Sequence, residues 1–223
     1  MNVSDALKSR ISCRAFLPDQ PDVAVIRRIL DNARWAASGG NLQPWHLHVL
    51  AGDALETLKA TIREEMKTHP AGKAPSYQIY PSSLKEPYRS RRFKCGEDLY
   101  ATIGVPREDK AGRFQQFVRN FEFFGAPVAL FCYLDETMGP PQWSDAGMFL
   151  QSIMLAARAE GLHTCAQEAW AMWADEVDAH LAPPEGRKLF CGMAIGWMDE
   201  TAPINALRTE RAELDEIADF RGF

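Results

Sequence analysis

The chain has 223 residues, 46% hydrophobic and 25% charged, and its 30 acidic against 25 Lys and Arg side chains give a net charge of −5. That balance suits one soluble globular unit and gives no general attraction to nucleic acid or an anionic membrane, so an anionic ligand must be held by a local basic cluster. The apolar runs Val128–Leu134 and Leu189–Trp197 are too short to span a bilayer, Met1–Asp5 lacks a secretory pattern, and the five scattered cysteines form no Cys-x-x-Cys pair; the expected setting is a reducing cytoplasm, without structural zinc or disulfides.

Residues 4–9 are predicted to form a short helix capped by Ser4. The following stretch, Arg10 to Phe16, reads as extended. Period two then puts Arg10, Ser12 and Arg14 on one face and Ile11, Cys13 and Ala15 on the other. Two guanidiniums beside a hydroxyl suit a phosphate, which Arg grips through paired N–H groups; the plainer alternative is a solvated basic edge. Pro21 and Asp22 open a second helix with the stripe Val23, Ile26, Leu30, Ala33 and Ala37. It leads into Ala37–Trp45, Ala-Ser-Gly-Gly-Asn-Leu-Gln-Pro-Trp. Here two glycines permit positive φ, while Ser38, Asn41 and Gln43 bring groups that can meet donors and acceptors on a flat heteroaromatic edge. His46–Leu50 is a predicted strand. His46 and His48 share its face, but with no carboxylate or cysteine near them they read as half-exposed strand residues rather than metal ligands.

A helix is expected from Asp53 to about Met66, and then the pattern breaks between residues 68 and 92, where Pro70, Pro75, Pro81 and Pro87 are interleaved with Tyr77, Tyr80, Tyr88, Lys85, Arg89, Arg91 and Arg92. Such an excursion is either a lid over a binding site or a solvent-facing decoration. Helices follow from about Glu97 and from Lys110 to Phe124; the cluster Phe117, Phe121, Phe123 and Phe124 is expected in the core, although a ring at a helix end can also roof a flat ligand. Pro127–Leu134 is predicted to be a strand covered on both sides. After the Gly139-Pro140-Pro141 break, Trp143–Glu160 is apolar almost all round, which implies burial at the centre of the domain or at a subunit interface. Gly161 caps it, His163–Glu168 enters a strand-to-helix junction, Asp175–Leu181 is helical, and Leu189–Trp197 is a second buried strand. The tail from Ala202 to Phe223 is expected to be extended or loop-like, with Arg208 and Arg211 in it.

No Gly-x-Ser-x-Gly elbow, Walker loop or Gly-x-Gly-x-x-Gly turn is present. His163 and Cys165 lack a third orienting group, so a buried thiol is the better reading. What remains is separated arginines, amide-bearing loops and apolar plates, which is material for holding a cofactor that does the hard chemistry itself.

Four pieces in register resemble the FMN-dependent nitroreductase family: Arg10-x-Ser12-x-Arg14 with Ala15-Phe16; Ser38-Gly-Gly-Asn41-x-Gln43-Pro-Trp45; Gly161-Leu-x-Thr-Cys-x-Gln167-Glu168-Ala-Trp170; and Gly192-Met-Ala-Ile-Gly196 with Pro203-x-Asn205-x-x-Arg208. Phe124-Gly-Ala-Pro-Val128 and Pro141-Gln-Trp143 also look like the branch that includes nitrobenzoate-type reductases. The resemblance implies an α+β nitroreductase-like fold over residues 1–223, with a mixed, mainly antiparallel sheet flanked by helices and an intertwined homodimer. It implies FMN at the dimer interface. Arg10, Ser12, Arg14 and Arg208 would grip its phosphate, Ser38, Asn41 and Gln43 would reach it from the other subunit, and Gln167 and Glu168 would present backbone N–H groups near flavin N5. NADH or NADPH would supply hydride, and a small flat aromatic, a nitroaromatic or quinone, would receive it in a ping-pong cycle. The excursion around Tyr77–Arg92 and the Phe121–Phe124 cluster, Phe123, Phe124 and Tyr88 foremost, are candidates for lining the acceptor slot, and Arg or Lys there would favour carboxylated aromatics. Many members have Pro where this chain has Ala37, which leaves that loop less rigid. Reductive dehalogenation, flavin fragmentation and non-catalytic flavin binding are the alternatives on the same scaffold.

Overall fold

A computed structural model describes residues 1–223. Four strands form one antiparallel sheet in the order β1-β2-β4-β3: β1 is Trp45–Ala51, β2 Val128–Asp135, β3 His163–Gln167 and β4 Arg187–Gly196. Eight helices surround it: α1 (Val3–Ser9), α2 (Val23–Ala33), α3 (Gly52–Thr68), α4 (Tyr88–Ala101), α5 (Lys110–Val118), α6 (Pro140–Ala159), α7 (Ala174–Leu181) and α8 (Leu214–Ile217). This is the expected α+β class. The parallel element that makes the sheet mixed is a single bridge between Ser12 and Thr164.

β2 serves two cores. Ala129, Phe131 and Tyr133 pack with Leu55, Leu58 and Ile62 of α3 on one face; Val128, Leu130 and Cys132 pack with Ile26 and Ile29 of α2 and Phe149 and Ile153 of α6 on the other. A strand buried on both faces needs an apolar residue at every position, which is why 128–134 reads as an unbroken run. The β2–β4 register slips between Cys132 and Tyr133: Cys132 opposes Cys191 while Tyr133 opposes Leu189, so Phe190 has no partner. Such a bulge re-aims a side chain.

Several boundaries differ from the sequence reading. The cap of α1 is Asn2, whose side chain accepts the Asp5 N–H at 2.9 Å, rather than Ser4. Pro21 precedes α2, and Asp22 caps it by accepting the Ala24 N–H at 2.7 Å. Within the α2 stripe Ile26 and Ala33 are buried, but Val23 is exposed, Ala37 lies beyond the helix, and Ile29 takes an inner place. The Gly139-Pro140-Pro141 break is the start of α6, where proline fits because the first turn needs no intrahelical N–H. That helix is buried along Phe149, Leu150, Ile153 and Ala157, whereas Gly147 and Met148 are exposed in the single chain. Helix α4 begins at Tyr88 rather than near Glu97; it buries no residue, so no apolar stripe announces it. The preceding excursion is pinned to the body. The Ser76 N–H donates to the Ala171 carbonyl at 2.9 Å, the Tyr77 hydroxyl donates to the Phe190 carbonyl, and Lys73 pairs with Glu65 and Glu176.

Candidate functional site

The N-terminal basic segment is attached to the open edge of the sheet. The Cys13 N–H donates to the Thr164 carbonyl at 3.0 Å, and Cys13, Ala15 and Phe16 are buried. The C-terminal tail is fastened to the same segment by Asn205, whose carboxamide accepts the Arg14 N–H at 2.8 Å and donates to the Ala15 and Asp199 carbonyls at 2.8 and 2.9 Å. Together these contacts enclose a cavity of about 790 Å³ walled by Lys8, Arg10, Ser12, Arg14, Arg208 and Arg211, with Cys95 and Leu99 from α4 and Gln151 from α6. Ile11 also lines it, so the expected inward turn of Ile11 with Cys13 and Ala15 does not hold.

No Asp or Glu lines this cavity, and none of its five cationic side chains forms a salt bridge. Arg14 donates to the Ser12 carbonyl at 3.1 Å and Arg208 to the Asn205 and Leu207 carbonyls at 2.9 and 3.0 Å, so carbonyls of neighbouring residues fix the guanidiniums. Burial, followed by the charge of Arg211, lowers the pKa of Arg10. Burial, then Arg158 and Arg208, pushes the nearby His163 imidazole down to about 4. In a chain of net charge −5, this uncompensated positive field is the electrostatic requirement for an oxyanion site.

A second cavity, of about 480 Å³, is largely apolar. Its walls include Ala166, Gln167 and Glu168 at the end of β3, Gly147, Leu150 and Met154 of α6, Phe190 at the bulge, Phe117 and Asn120, and Ile79 and Tyr80 from the excursion. Ala166 is the one exposed residue of an otherwise buried β3, and it leaves room for a flat body against the strand. Gly147, Gln151 and Met154 recur at i, i+4 and i+7, so one face of α6 runs along both cavities, Gln151 at the first and the other two at the second. Gln167 is 3% exposed; its Nε2 donates to the Asn120 carbonyl at 2.6 Å, and its Oε1 is buried without a partner. A buried acceptor with no donor points to a ligand group. Burial raises the Glu168 carboxyl pKa. An elongated molecule with an anionic head and a planar, hydrogen-bonding body suits this pair of cavities.

Ser38, Asn41 and Gln43 are not brought to either cavity of the same chain. They sit in a tight turn at the surface, with φ of 55° at Asn41 and 48° at Gln43. Left-handed backbone at non-glycine residues persists only where contacts impose it. Here the Gln43 N–H donates to Ser38 Oγ at 3.0 Å, and the Gly39 N–H donates to Asp145 of α6 at 3.1 Å.

The three foremost candidates for the acceptor slot lie outside both cavities of the single chain. Phe123 and Phe124 are 0% and 2% exposed, with Phe123 stacked on Trp170 at 4.6 Å, so they belong to the aromatic core and offer no face to a ligand. Tyr88 is exposed at the start of α4 and lines neither cavity. Phe117, Asn120, Tyr80 and Phe190 line the apolar cavity instead. Of these Phe190 carried no signal, because the bulge that turns it is a property of strand pairing. The Cys165 thiol is completely buried and its pKa raised, which agrees with an inert core cysteine.

The Nitroreductase family model matches residues 7–197. The chain is 34% identical over 218 residues to a nitrobenzene nitroreductase of Ectopseudomonas oleovorans, covering 98% of this chain and 96% of that one. It is 37% identical over 215 residues to a 4-nitrobenzoate reductase of Pseudomonas putida, covering 96% and 93%. Among solved structures, the FMN and NADPH-dependent nitroreductase NfnB of Sphigopyxis sp. strain HMH superposes with a TM-score of 0.96 at 45% identity, with 100% of each chain covered. The FMN-dependent NfnB of Mycobacterium smegmatis, solved with NADPH, gives 0.92 at 29% identity, covering 98% and 97%.

Proposed function

The chain belongs to the nitroreductase family, and from that premise we propose that it is an FMN-dependent oxidoreductase that uses NADPH or NADH to reduce nitroaromatic or quinone acceptors. The observation that carries this reading is the α6 face shared by an unpaired arginine cluster and a flat apolar slot. The relatives' names all describe nitro reduction, which favours this reaction over dehalogenation or flavin fragmentation.

In this reading Arg10, Ser12, Arg14 and Arg208 would hold the FMN phosphate, joined by Arg211 and Lys8, and Ala166, Gln167 and Glu168 would hold its ring. Bound there, FMN would supply two-electron redox chemistry between the nicotinamide and the acceptor. The protein's own part is orientation: the buried Gln167 carboxamide, braced by Asn120, fixes a polar edge, and apolar walls exclude water from the slot. Neither cavity contains a side-chain acid–base pair, in keeping with chemistry that depends on stacking and proximity.

Ser38, Asn41 and Gln43 line neither cavity of their own chain, which supports a homodimer in which each subunit completes its partner's site. Large exposed apolar side chains agree: Trp35 and Leu42 flank that turn, Met148 lies on α6, and Phe220 and Phe223 lie in the tail. No helix is long and apolar enough to cross a membrane, and with an acidic chain of unpaired thiols we place the protein in the cytoplasm as one FMN-binding domain. Anaerobic stopped-flow mixing tests the reading: purified yellow protein should bleach with NADPH or NADH and recover its colour on addition of a nitroaromatic. A protein that stays colourless with added FMN, or a flavin that neither nucleotide bleaches, overturns it.

A further inference from the structure

Four basic residues crowd the first half of α4, and three of them are spoken for. Arg89 pairs with Glu86 at 2.7 Å, Arg91 with Glu216 at 2.9 Å, and Lys94 with Asp98 and Glu210 at 2.7 and 3.2 Å. Arg92 has no carboxylate partner. Its guanidinium carbon instead lies 4.1 Å from the centroid of the Tyr80 ring, the shortest cation–ring approach in the molecule. Tyr80 is itself a wall of the ring cavity, and no Lys, Arg or His lines that cavity; its one charged wall residue is Glu168.

Stacking uses the face of a guanidinium and leaves its in-plane N–H groups free to grip a carboxylate from the edge. An anionic group on a ring in this slot meets no cation on the walls, and the guanidinium seated on the wall residue Tyr80 is that of Arg92. Resting on the reading of the slot as the acceptor site, we propose that Arg92, held against Tyr80, selects flat aromatic acceptors that carry a carboxylate. The residue is exposed, so the effect expected is moderate selectivity between charged and uncharged rings rather than an absolute requirement.

The test uses flavin-loaded wild type, Arg92→Gln and Arg92→Lys. Binding is read from the flavin absorbance change on titration with benzoate and with benzamide, which share a ring but differ in charge. Turnover is read with 4-nitrobenzoate and 4-nitrobenzamide. Arg92→Gln should weaken benzoate binding about 5- to 20-fold and lower kcat/KM for 4-nitrobenzoate by a similar factor. Both amides should stay within about twofold, and Arg92→Lys should recover part of the loss. Equal losses for acid and amide, or no loss for the acid, overturn the proposal. A defect confined to the rate of flavin bleaching by NADPH also overturns it, by assigning the arginine to a dinucleotide phosphate. If wild type reduces neither nitro compound, the nitroreductase reading is the one that fails, while the benzoate–benzamide titrations still decide the role of Arg92.

Discussion

The side-chain oxygen of Asn205 accepts the backbone N–H of Arg14 at 2.8 Å, joining residues 191 positions apart. The same carboxamide donates to the Ala15 and Asp199 carbonyls, and Asn205 is 3% exposed, so none of the three bonds can be replaced readily by water. Arg208 in turn donates to the Asn205 carbonyl. Asn205 therefore ties both arms of the cationic cluster, Arg14 through its side chain and Arg208 through its backbone carbonyl.

Asn205→Ala should accordingly lose both stability and cofactor. Leaving buried donors and acceptors unpaired costs about 2–4 kcal/mol here. A lower urea midpoint and loss of yellow colour on gel filtration should appear together. Wild-type flavin affinity in this variant would show that the arginines hold their places without it.

Arg14→Ala and Arg208→Ala should separate binding from folding. Neither guanidinium forms a salt bridge, so removing one relieves repulsion in the empty protein while taking away a charge-assisted contact to the phosphate. FMN affinity, followed by quenching of flavin fluorescence, should fall by about 10- to 100-fold. The unfolding midpoint of the apoprotein should hold or rise.

Acid sensitivity should trace to His163. Its imidazole is neutral in the fold, with a pKa of about 4 set first by burial and then by Arg158 and Arg208. In the unfolded chain it takes up a proton below about 6.5. The unfolded state thus binds more protons between those values, and apoprotein stability should decline as pH falls from 6.5 to 4, by up to about 3 kcal/mol. His163→Gln should flatten that part of the curve. FMN should do so partly, because a phosphate beside Arg208 offsets the charge that depresses the imidazole.

Gly192→Ala probes the packing of β4 on Trp170. A Cβ at that position would lie 2.4 Å from Trp170 Cδ1, and Trp170 is fully buried against Phe121, Phe123 and Phe131. Overpacking a rigid indole should cost about 1–3 kcal/mol. Differential scanning calorimetry should record it, with a shift in tryptophan emission. Gly147→Ala, where an added Cβ meets nothing within 4 Å, is the control for the single-chain fold.

Tyr77→Phe should loosen the excursion without touching the sheet. It deletes the hydroxyl bond to the Phe190 carbonyl but keeps the edge-on contact with Trp143 at 5.2 Å. Faster cleavage by trypsin between residues 68 and 92, with an unfolding midpoint shifted by only about 1 kcal/mol, is the expected result.

The two buried strands, the basic motif and the Gly-rich turn were legible because each follows from short-range chemistry: alternation, charge and backbone freedom. Arg10, Ser12, Arg14 and Arg208 could be grouped in advance because the family pattern joins both chain ends, yet Lys8 and Arg211 enter the cluster only through the way the tail docks. Phe123 and Phe124 misled because aromatic residues at a helix end look the same whether they roof a ligand or fill a core. Two consecutive left-handed residues, with φ of 48° and 56°, turn both rings inward. Tyr80 lies in the excursion from Tyr77 to Arg92, itself a candidate lining of the slot, whereas Phe190 depended on the slip in register, which no local pattern encodes.

The amide clasp between Asn205 and Arg14 has a consequence for biosynthesis. On the ribosome the basic N-terminal segment emerges early, but the partner that orients it is added 191 residues later. The cationic cluster therefore cannot be complete while the start of the chain stands alone; it forms only once Asn205 has been made and has folded back over Arg14.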